Sequence, residues 1–83
     1  MEVTQHRHIY WRSRRGMLEL ELKLVPFVRD HFQTLTSAEQ QAYEAMLGEE
    51  DWQIFDWLQR REVPENALLN TVIEKIIDSE GRL

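Results

Sequence analysis

The sequence contains no cysteine, and it has only two prolines and three glycines in 83 residues. Without cysteine, the chain has no disulfide framework, thiolate zinc site, iron–sulfur ligation or thiol catalysis. No GxGxxG or GxxxxGK(S/T) string is present, so a Rossmann or P-loop nucleotide site is not expected. No apolar run approaches the length of about 20 residues that a membrane-spanning helix needs, and the N-terminus lacks the apolar core of a signal peptide. We therefore expect a cytoplasmic protein without membrane insertion.

Charge is distributed unevenly along the chain. The total is −5, but residues 1–16 carry a net charge of +3 and residues 17–83 carry a net charge of −8. A basic segment on an acidic body can contact either a phosphate backbone or an acidic protein surface. A dedicated nucleic-acid-binding domain is usually basic as a whole, so the acidic total favours a protein partner.

The second half of the chain is predicted to form three helices. Thr36 and Glu39 form the T-x-x-E pattern of a capping box, and the apolar stripe that follows stops at Gly48. Acidic residues begin the next helix, and Pro64 suits the first position of the last one, which Gly81 ends. The apolar faces predicted to be buried are Trp52, Ile54, Phe55, Trp57 and Leu58, then Leu68, Leu69, Val72, Ile73, Ile76 and Ile77.

The first half contains an ambiguity, because leucine alternates with charged residues over residues 18–24, as in a half-buried strand. A helix is favoured because Leu, Glu and Lys are strong helix formers and no second strand candidate exists to pair with this one. Pro26 then lies inside this helix and should bend it or free a carbonyl. A shorter helix, roughly residues 7–14, precedes it. The sequence thus predicts an all-α fold, a small compact five-helix bundle that forms a single domain over residues 1–83, with an ordered core of roughly residues 7–79.

Neither a metal site nor an active site is predicted. His6 and His8 are spaced for a strand or loop rather than for one helix face, and no carboxylate cluster completes a shell with them or with His31. No serine lies in a G-x-S-x-G context. Glu19 and Glu21 are two residues apart on a helix and point in different directions, so they do not form an acid–base pair.

The segment from Tyr10 to Glu19 carries the most informative residues. Arginines beside Tyr10 and Trp11 form a mixture that could stack bases and bind phosphates, or could contact a protein. Gly16 fits as the C′ residue of the first helix or as the N-cap of the second, in which case Glu19 falls at N3. Alternatively, Gly16 has no side chain so that the backbone of a partner can approach closely. The residues alone leave these interpretations open.

Residues 15–19, Arg-Gly-Met-Leu-Glu, match the R-G-x-x-E signature of the small succinate dehydrogenase flavinylation factors, also called the SdhE family or FAD assembly factors. The chain resembles the bacterial members of this family beyond those five residues. The further similar features are Trp11 ahead of Arg-Arg-Gly-Met, Pro26-Phe27, the helix start at Leu35, and Asp51-x-x-x-Phe55-x-Trp57-Leu58. This ordered set is far more specific than a bare R-G-x-x-E.

The resemblance implies an assembly factor that binds the flavoprotein subunit of succinate dehydrogenase or fumarate reductase and promotes covalent attachment of FAD to it. The covalent chemistry would be the client's own, so this chain is expected to be no enzyme and to bind no cofactor itself. We expect a monomer that binds no nucleic acid. An antitoxin that pairs with a membrane-associated toxin is the alternative function. The residues expected to contact the partner are Arg15, Gly16, Glu19, Met17, Trp11, Arg14 and Arg12.

Overall fold

The computed structural model describes residues 3–80 of the chain, with side chains from residue 7 to residue 79. The helices are α1 (Val3–Arg12), α2 (Leu18–His31), α3 (Ser37–Met46), α4 (Asp51–Leu58) and α5 (Ala67–Glu80), and a 3-10 turn, Phe32–Thr34, follows α2. No strand occurs among these residues, so the predicted all-α fold is confirmed. The predicted helix stop at Gly81 lies outside the described residues. None of the helices within residues 3–80 is long and apolar enough to cross a bilayer.

The alternating leucines are part of α2, as the sequence predicts. Leu20 and Leu24 are fully buried, whereas Leu18 and Leu22 are 63% and 64% exposed. Residues four apart share one face of a helix, so two leucine pairs point in two directions and only one pair faces the core. Pro26 lies inside α2, where its missing N–H removes the hydrogen bond that the Leu22 carbonyl would otherwise accept.

The core lies where α2, α3 and α5 meet, with α4 packed on α5 and α1 packed on α2. Tyr43 of α3 is fully buried. Its ring centroid lies 6.0 Å from that of Phe27 in a stacked arrangement and 5.5 Å from that of Phe32 in an edge-on arrangement. The fully buried residues around it come from every helix: Ile9, Leu20, Leu24, Val28, Met46, Ile54, Val72, Ile73 and Ile76.

The predicted capping box at the start of α3 is confirmed. The Thr36 N–H donates to Oε1 of Glu39 at 2.9 Å, and the Glu39 N–H donates to Oγ1 of Thr36 at 3.1 Å. Lys75 of α5 donates from Nζ to both carboxylate oxygens of Glu39, at 3.1 and 3.0 Å. The cap of α3 is therefore also the polar contact between α3 and α5.

Glu39 should make the stability of the protein sensitive to acid. The backbone N–H of Thr36 and the Lys75 ammonium group hold the pKa of this carboxyl below its ordinary value of 4.5. A carboxyl whose pKa is lowered by folding stabilises the protein above its unfolded-state pKa, and this stabilisation is lost as pH falls through the folded-state pKa. Glu39→Gln keeps an acceptor for Thr36 but loses the charge. Thermal melts between pH 7 and pH 3 should therefore show a gap between the two proteins that closes below about pH 4. Parallel curves would contradict this assignment.

The prediction that two aromatic residues of α4 are buried in the core is wrong. Trp52 and Phe55 were expected in the core, but Trp52 is 59% exposed and Phe55 is half-buried. The buried side of this eight-residue helix follows Ile54 and Leu58, which are four apart, while Trp57 packs against the edge of the core. Trp52 precedes Ile54 by two positions and therefore points to the opposite side of the helix.

The predicted bounds of the outer helices also differ from the structure. α5 begins at Ala67 rather than at Pro64, because Asn66 caps it: Oδ1 of Asn66 accepts the Leu69 N–H at 2.9 Å. Asparagine satisfies an otherwise unpaired amide at this position, whereas proline offers no side-chain acceptor. Leu68 is on the exposed side of α5, at 38% exposure, although the sequence placed it on the buried face. α1 begins further towards the N-terminus than predicted and ends at Arg12.

Candidate functional site

The segment between α1 and α2, residues 13–17, is a loop of turns and bends in which buried and exposed residues alternate. Ser13 is fully buried, and Arg15 and Met17 are half-buried. Arg14 and Gly16, which lie between them, are exposed, and so is Leu18 at the start of α2. Ser13, Arg15 and Met17 therefore attach the motif loop (residues 13–17) to the protein, and the residues between them are exposed.

The first attachment joins Ser13 to the core. The Ser13 hydroxyl donates to the Ile9 carbonyl at 2.8 Å, so the Tyr43 hydroxyl, 2.6 Å away, is the donor towards Oγ of Ser13. Burial raises the pKa of the Tyr43 phenol far above its ordinary value, which keeps this donor protonated. The start of the motif loop is thus bound to the central residue of the core.

The second attachment is made by the guanidinium group of Arg15, whose side chain is only 15% exposed. Its Nε donates to Oδ1 of Asp51 at 2.7 Å. Its terminal nitrogens donate to the carbonyls of Leu47 and Glu49, both at 2.9 Å, and to that of Arg12 at 3.2 Å. Arg15 therefore joins the end of α1 to the turn between α3 and α4. Its planar set of donors suits this arrangement better than a lysine ammonium group would.

The third attachment is at Met17, which is the N-cap residue of α2 and has no side-chain cap of its own. Its N–H donates to Oδ2 of Asp51 at 3.3 Å. Both interpretations of Gly16 as a helix-terminal residue are therefore wrong, and Glu19 lies at N2 rather than N3. A carboxylate from α4 accepts the N–H of the N-cap residue, which the N3 side chain would accept in a capping box and which Leu20 at N3 cannot.

Gly16 has no structural requirement for glycine within this chain. It is exposed, and no glycine in the described residues has a positive φ. A Cβ atom built at Gly16 would meet only Oδ2 of Asp51, at 3.9 Å, which is an ordinary van der Waals contact. Neither backbone conformation nor packing in the free protein explains the missing side chain.

The Glu19 side chain, like the missing side chain of Gly16, has no structural role among the described residues. It is exposed in the first turn of α2 and makes no hydrogen bond or ion pair with any residue from 7 to 79. Glu21 behaves differently, because its carboxylate accepts from Nε of Arg14 at 3.1 Å. Leu18 and Leu22, the exposed leucines of α2, lie beside Glu19 and add apolar surface to the outer face of the helix.

The aromatic and basic residues before the motif form the other side of this surface. Trp11 is 56% exposed, and the guanidinium carbon of Arg14 lies 5.6 Å from its ring centroid. Arg12 is exposed and lies 3.7 Å from a carboxylate oxygen of Glu44. Such exposed ion pairs contribute little to stability, so these side chains can exchange their partners at low cost.

The residues that the sequence indicated fall into two groups that differ in exposure. The outward-facing ones, which we call the motif surface, are Trp11, Arg12, Arg14, Gly16 and Glu19. Arg15 and Met17 support this surface from below. Sequence reasoning missed the role of Asp51, which it treated only as favourable charge at a helix start. The only indication in the sequence is that Asp51 begins Asp51-x-x-x-Phe55-x-Trp57-Leu58, one of the features that resemble the family.

The rest of the described surface has shallow grooves and no cluster of metal ligands. Within residues 7–79, no three histidine or acidic side chains converge as metal ligands would. A shallow groove of about 330 Å³ lies between the end of α2 and α5, lined by residues that include His31, Lys75 and Asp78. It shares no residue with the motif surface.

Comparison with known proteins gives a consistent result. A family described as the flavinator of succinate dehydrogenase matches residues 7–80 of the chain. The chain is 40% identical to the FAD assembly factor SdhE of Pseudomonas aeruginosa over 77 residues, which is 93% of this chain and 92% of that protein. It is 37% identical to the protein of the same name from Vibrio cholerae over 75 residues, 90% of this chain and 87% of the relative. For the Pectobacterium atrosepticum protein the identity is 32% over 76 residues, 92% and 86% of the two chains.

Proposed function

Because the chain belongs to the family of succinate dehydrogenase flavinators, we propose that it is an FAD assembly factor that binds the flavoprotein subunit of succinate dehydrogenase or fumarate reductase. On this proposal it promotes covalent attachment of FAD to that client. The single observation that carries the proposal is that Gly16, in the motif loop, and Glu19, in the first turn of α2, are exposed and are not needed by the fold. When a family signature contains residues that the fold does not need, binding to a partner accounts for their presence.

The motif surface suits a protein partner in three ways. Gly16 lets the client backbone approach closely, and Glu19 offers an acceptor that no residue from 7 to 79 occupies. Trp11 supplies a large apolar contact of the kind that dominates binding energy at interfaces. Because the loop is already fixed in the free protein, little conformational entropy is lost on binding.

The chain acts on flavinylation by holding its client rather than by taking part in the reaction. A bound factor that favours one client conformation shifts the client towards that state, and correct placement of FAD beside its target accelerates bond formation. The flavin is held by the client, and the bond-forming groups also come from it. This assignment makes the protein an assembly chaperone and not an enzyme.

The proposal is tested by capturing the protein from its native cell. A flavoprotein subunit of succinate dehydrogenase or fumarate reductase should co-purify, and deletion of the factor should remove the covalent flavin fluorescence of that subunit in a denaturing gel. Normal covalent flavin in the deletion strain would contradict the proposed function. Capture without any flavoprotein would contradict the proposed partner.

Glu19→Ala should separate binding from folding. The side chain has no partner among the described residues, so its loss should change the free energy of unfolding by less than about 0.5 kcal/mol. In the complex, removal of the acceptor leaves a client donor unpaired, which costs about 1–3 kcal/mol and weakens binding roughly 5- to 150-fold. Thermal melts and titration with purified client measure the two effects. Glu65→Ala, at an exposed position outside the motif surface, is the matched control and should change neither. A destabilised Glu19→Ala variant with normal client affinity would show a structural role instead.

A further inference from the structure

We propose that Asp51, which lies outside the motif, is a positioning residue for client binding that acts by fixing the shape of the motif loop. This inference rests on the proposed function for its consequence, but its structural part concerns the free protein alone. The role of Arg15 follows from it: the motif arginine holds the loop against Asp51 and supports the contact residues from below.

The geometry places Asp51 at the centre of the loop's attachments. One oxygen of its carboxylate accepts from Nε of Arg15 at 2.7 Å, and the other accepts from the N–H of Met17 at 3.3 Å. These two donors flank Gly16 in the chain. A single carboxylate thus holds the residues on both sides of Gly16, which restricts rotation of the glycine backbone between them.

The first turn of a helix is a common place for aspartate, so a purely local role must be considered. The contacts argue against it. The two oxygens of Asp51 accept from residues 36 and 34 positions earlier in the chain. The N-cap residue of α4, Glu50, likewise makes no side-chain cap bond. The hydrogen-bonding capacity of Asp51 is therefore directed at the motif loop rather than at its own helix.

Charge supports the same assignment. The Arg15 side chain is 15% exposed, and Asp51, at 29%, is its only carboxylate partner within residues 7–79. Neutralising Asp51 would leave this largely desolvated guanidinium group without a counter-charge. Arg15 would keep its bonds to backbone carbonyls but lose its ion pair, and the Met17 N–H would be held less firmly, so the loop around Gly16 would gain freedom.

The chain contains a matched control for this contact. Glu39 also accepts one backbone N–H and one cationic side chain, from Thr36 and Lys75, but it joins α3 to α5 instead of holding the motif loop. Asp51→Asn and Glu39→Gln therefore remove the same kind of charge from the same kind of site. Asparagine retains one acceptor oxygen, but its NH2 group replaces the other oxygen and cannot accept from the second donor.

The experiment combines amide hydrogen exchange of the free protein with client titration. Asp51→Asn should speed exchange of the Met17 amide at least tenfold and weaken binding to purified flavoprotein subunit at least tenfold. Glu39→Gln should leave Met17 amide exchange and client affinity unchanged, even if it lowers the melting temperature as much as Asp51→Asn does. If Asp51→Asn does not fold, Arg15→Lys takes its place with the same expectations, since an ammonium group cannot reproduce the fork of bonds.

Each result decides the proposal. Unchanged Met17 exchange in Asp51→Asn would overturn the positioning role, and so would wild-type client affinity in that variant. Equal loss of affinity in Glu39→Gln would show that general destabilisation is the cause. If the wild-type protein binds no flavoprotein, the proposed function fails, yet faster Met17 exchange in Asp51→Asn would still establish that Asp51 fixes the loop.

Discussion

Gly16→Arg is expected to leave the protein folded and to reduce covalent flavinylation of the client to background. The position is exposed, its φ is not positive, and a Cβ atom there meets only one carboxylate oxygen, at 3.9 Å. An arginine side chain can extend into solvent, so the free energy of unfolding should change by about 0.5 kcal/mol and the melting temperature by a few degrees. In the complex, the same side chain would hold the two backbones apart or bury an unpaired charge. We expect client affinity to fall by at least about a hundredfold, equivalent to roughly 2.8 kcal/mol.

The readouts are thermal melts of the variant and the flavin that remains on the client after denaturation. Gly16→Ala tests the role of size alone, because a methyl group fits the free protein and should reduce affinity less than arginine does. Gln41→Arg adds the same charge at an exposed position on α3 and should leave flavinylation intact. Full flavinylation by a folded Gly16→Arg variant would remove Gly16 from the motif surface.

The elements that could be predicted from the sequence are those fixed by local interactions. The capping box at Thr36 and Glu39 is local, and it forms as expected. The leucine alternation in α2 was resolved correctly because helix propensity and the lack of a pairing strand both favoured a helix. The family signature indicates a candidate site within one short stretch of chain, and the contact of these residues with a client stays a prediction.

The features that could not be predicted depend on contacts between distant segments. Nothing near Arg15 in the chain indicates that its guanidinium group is directed at Asp51 and the turn before it. The sequence therefore predicts Arg15, Gly16, Met17 and Glu19 together as contact residues, whereas the structure separates exposed residues from supporting ones. For the same reason, the sequence did not determine which side of α4 faces the core. Five of its eight residues are aromatic or aliphatic and they lie on several sides of the helix, so the packing of α4 on α5 decides which of them are buried.

The largest expected loss of stability is at Tyr43. Replacement by alanine leaves a cavity between Phe27 and Phe32, which costs about 3–5 kcal/mol, and it removes the donor to Ser13, which costs about 1 kcal/mol more. A domain of this length has a total stability of about 4–12 kcal/mol, so Tyr43→Ala should lower the melting temperature by at least about 15 °C or abolish the cooperative transition. Tyr43→Phe keeps the ring and should lose only the hydrogen bond, about 1 kcal/mol.

Phe55→Ala provides the contrast that tests how α4 packs. Phe55 is half-buried and lies outside the buried core, with the guanidinium carbon of Arg61 6.0 Å from its ring. Its truncation should therefore cost about 1–2 kcal/mol, well below the cost at Tyr43, because the site already reaches solvent and leaves no closed cavity. Chemical denaturation of both variants measures the difference directly. An equal loss of unfolding free energy in Tyr43→Ala and Phe55→Ala would show that Phe55 is part of the core. A fully stable Phe55→Ala variant that no longer binds the client would instead extend the interface from the motif loop onto α4, on the exposed side where Trp52 lies.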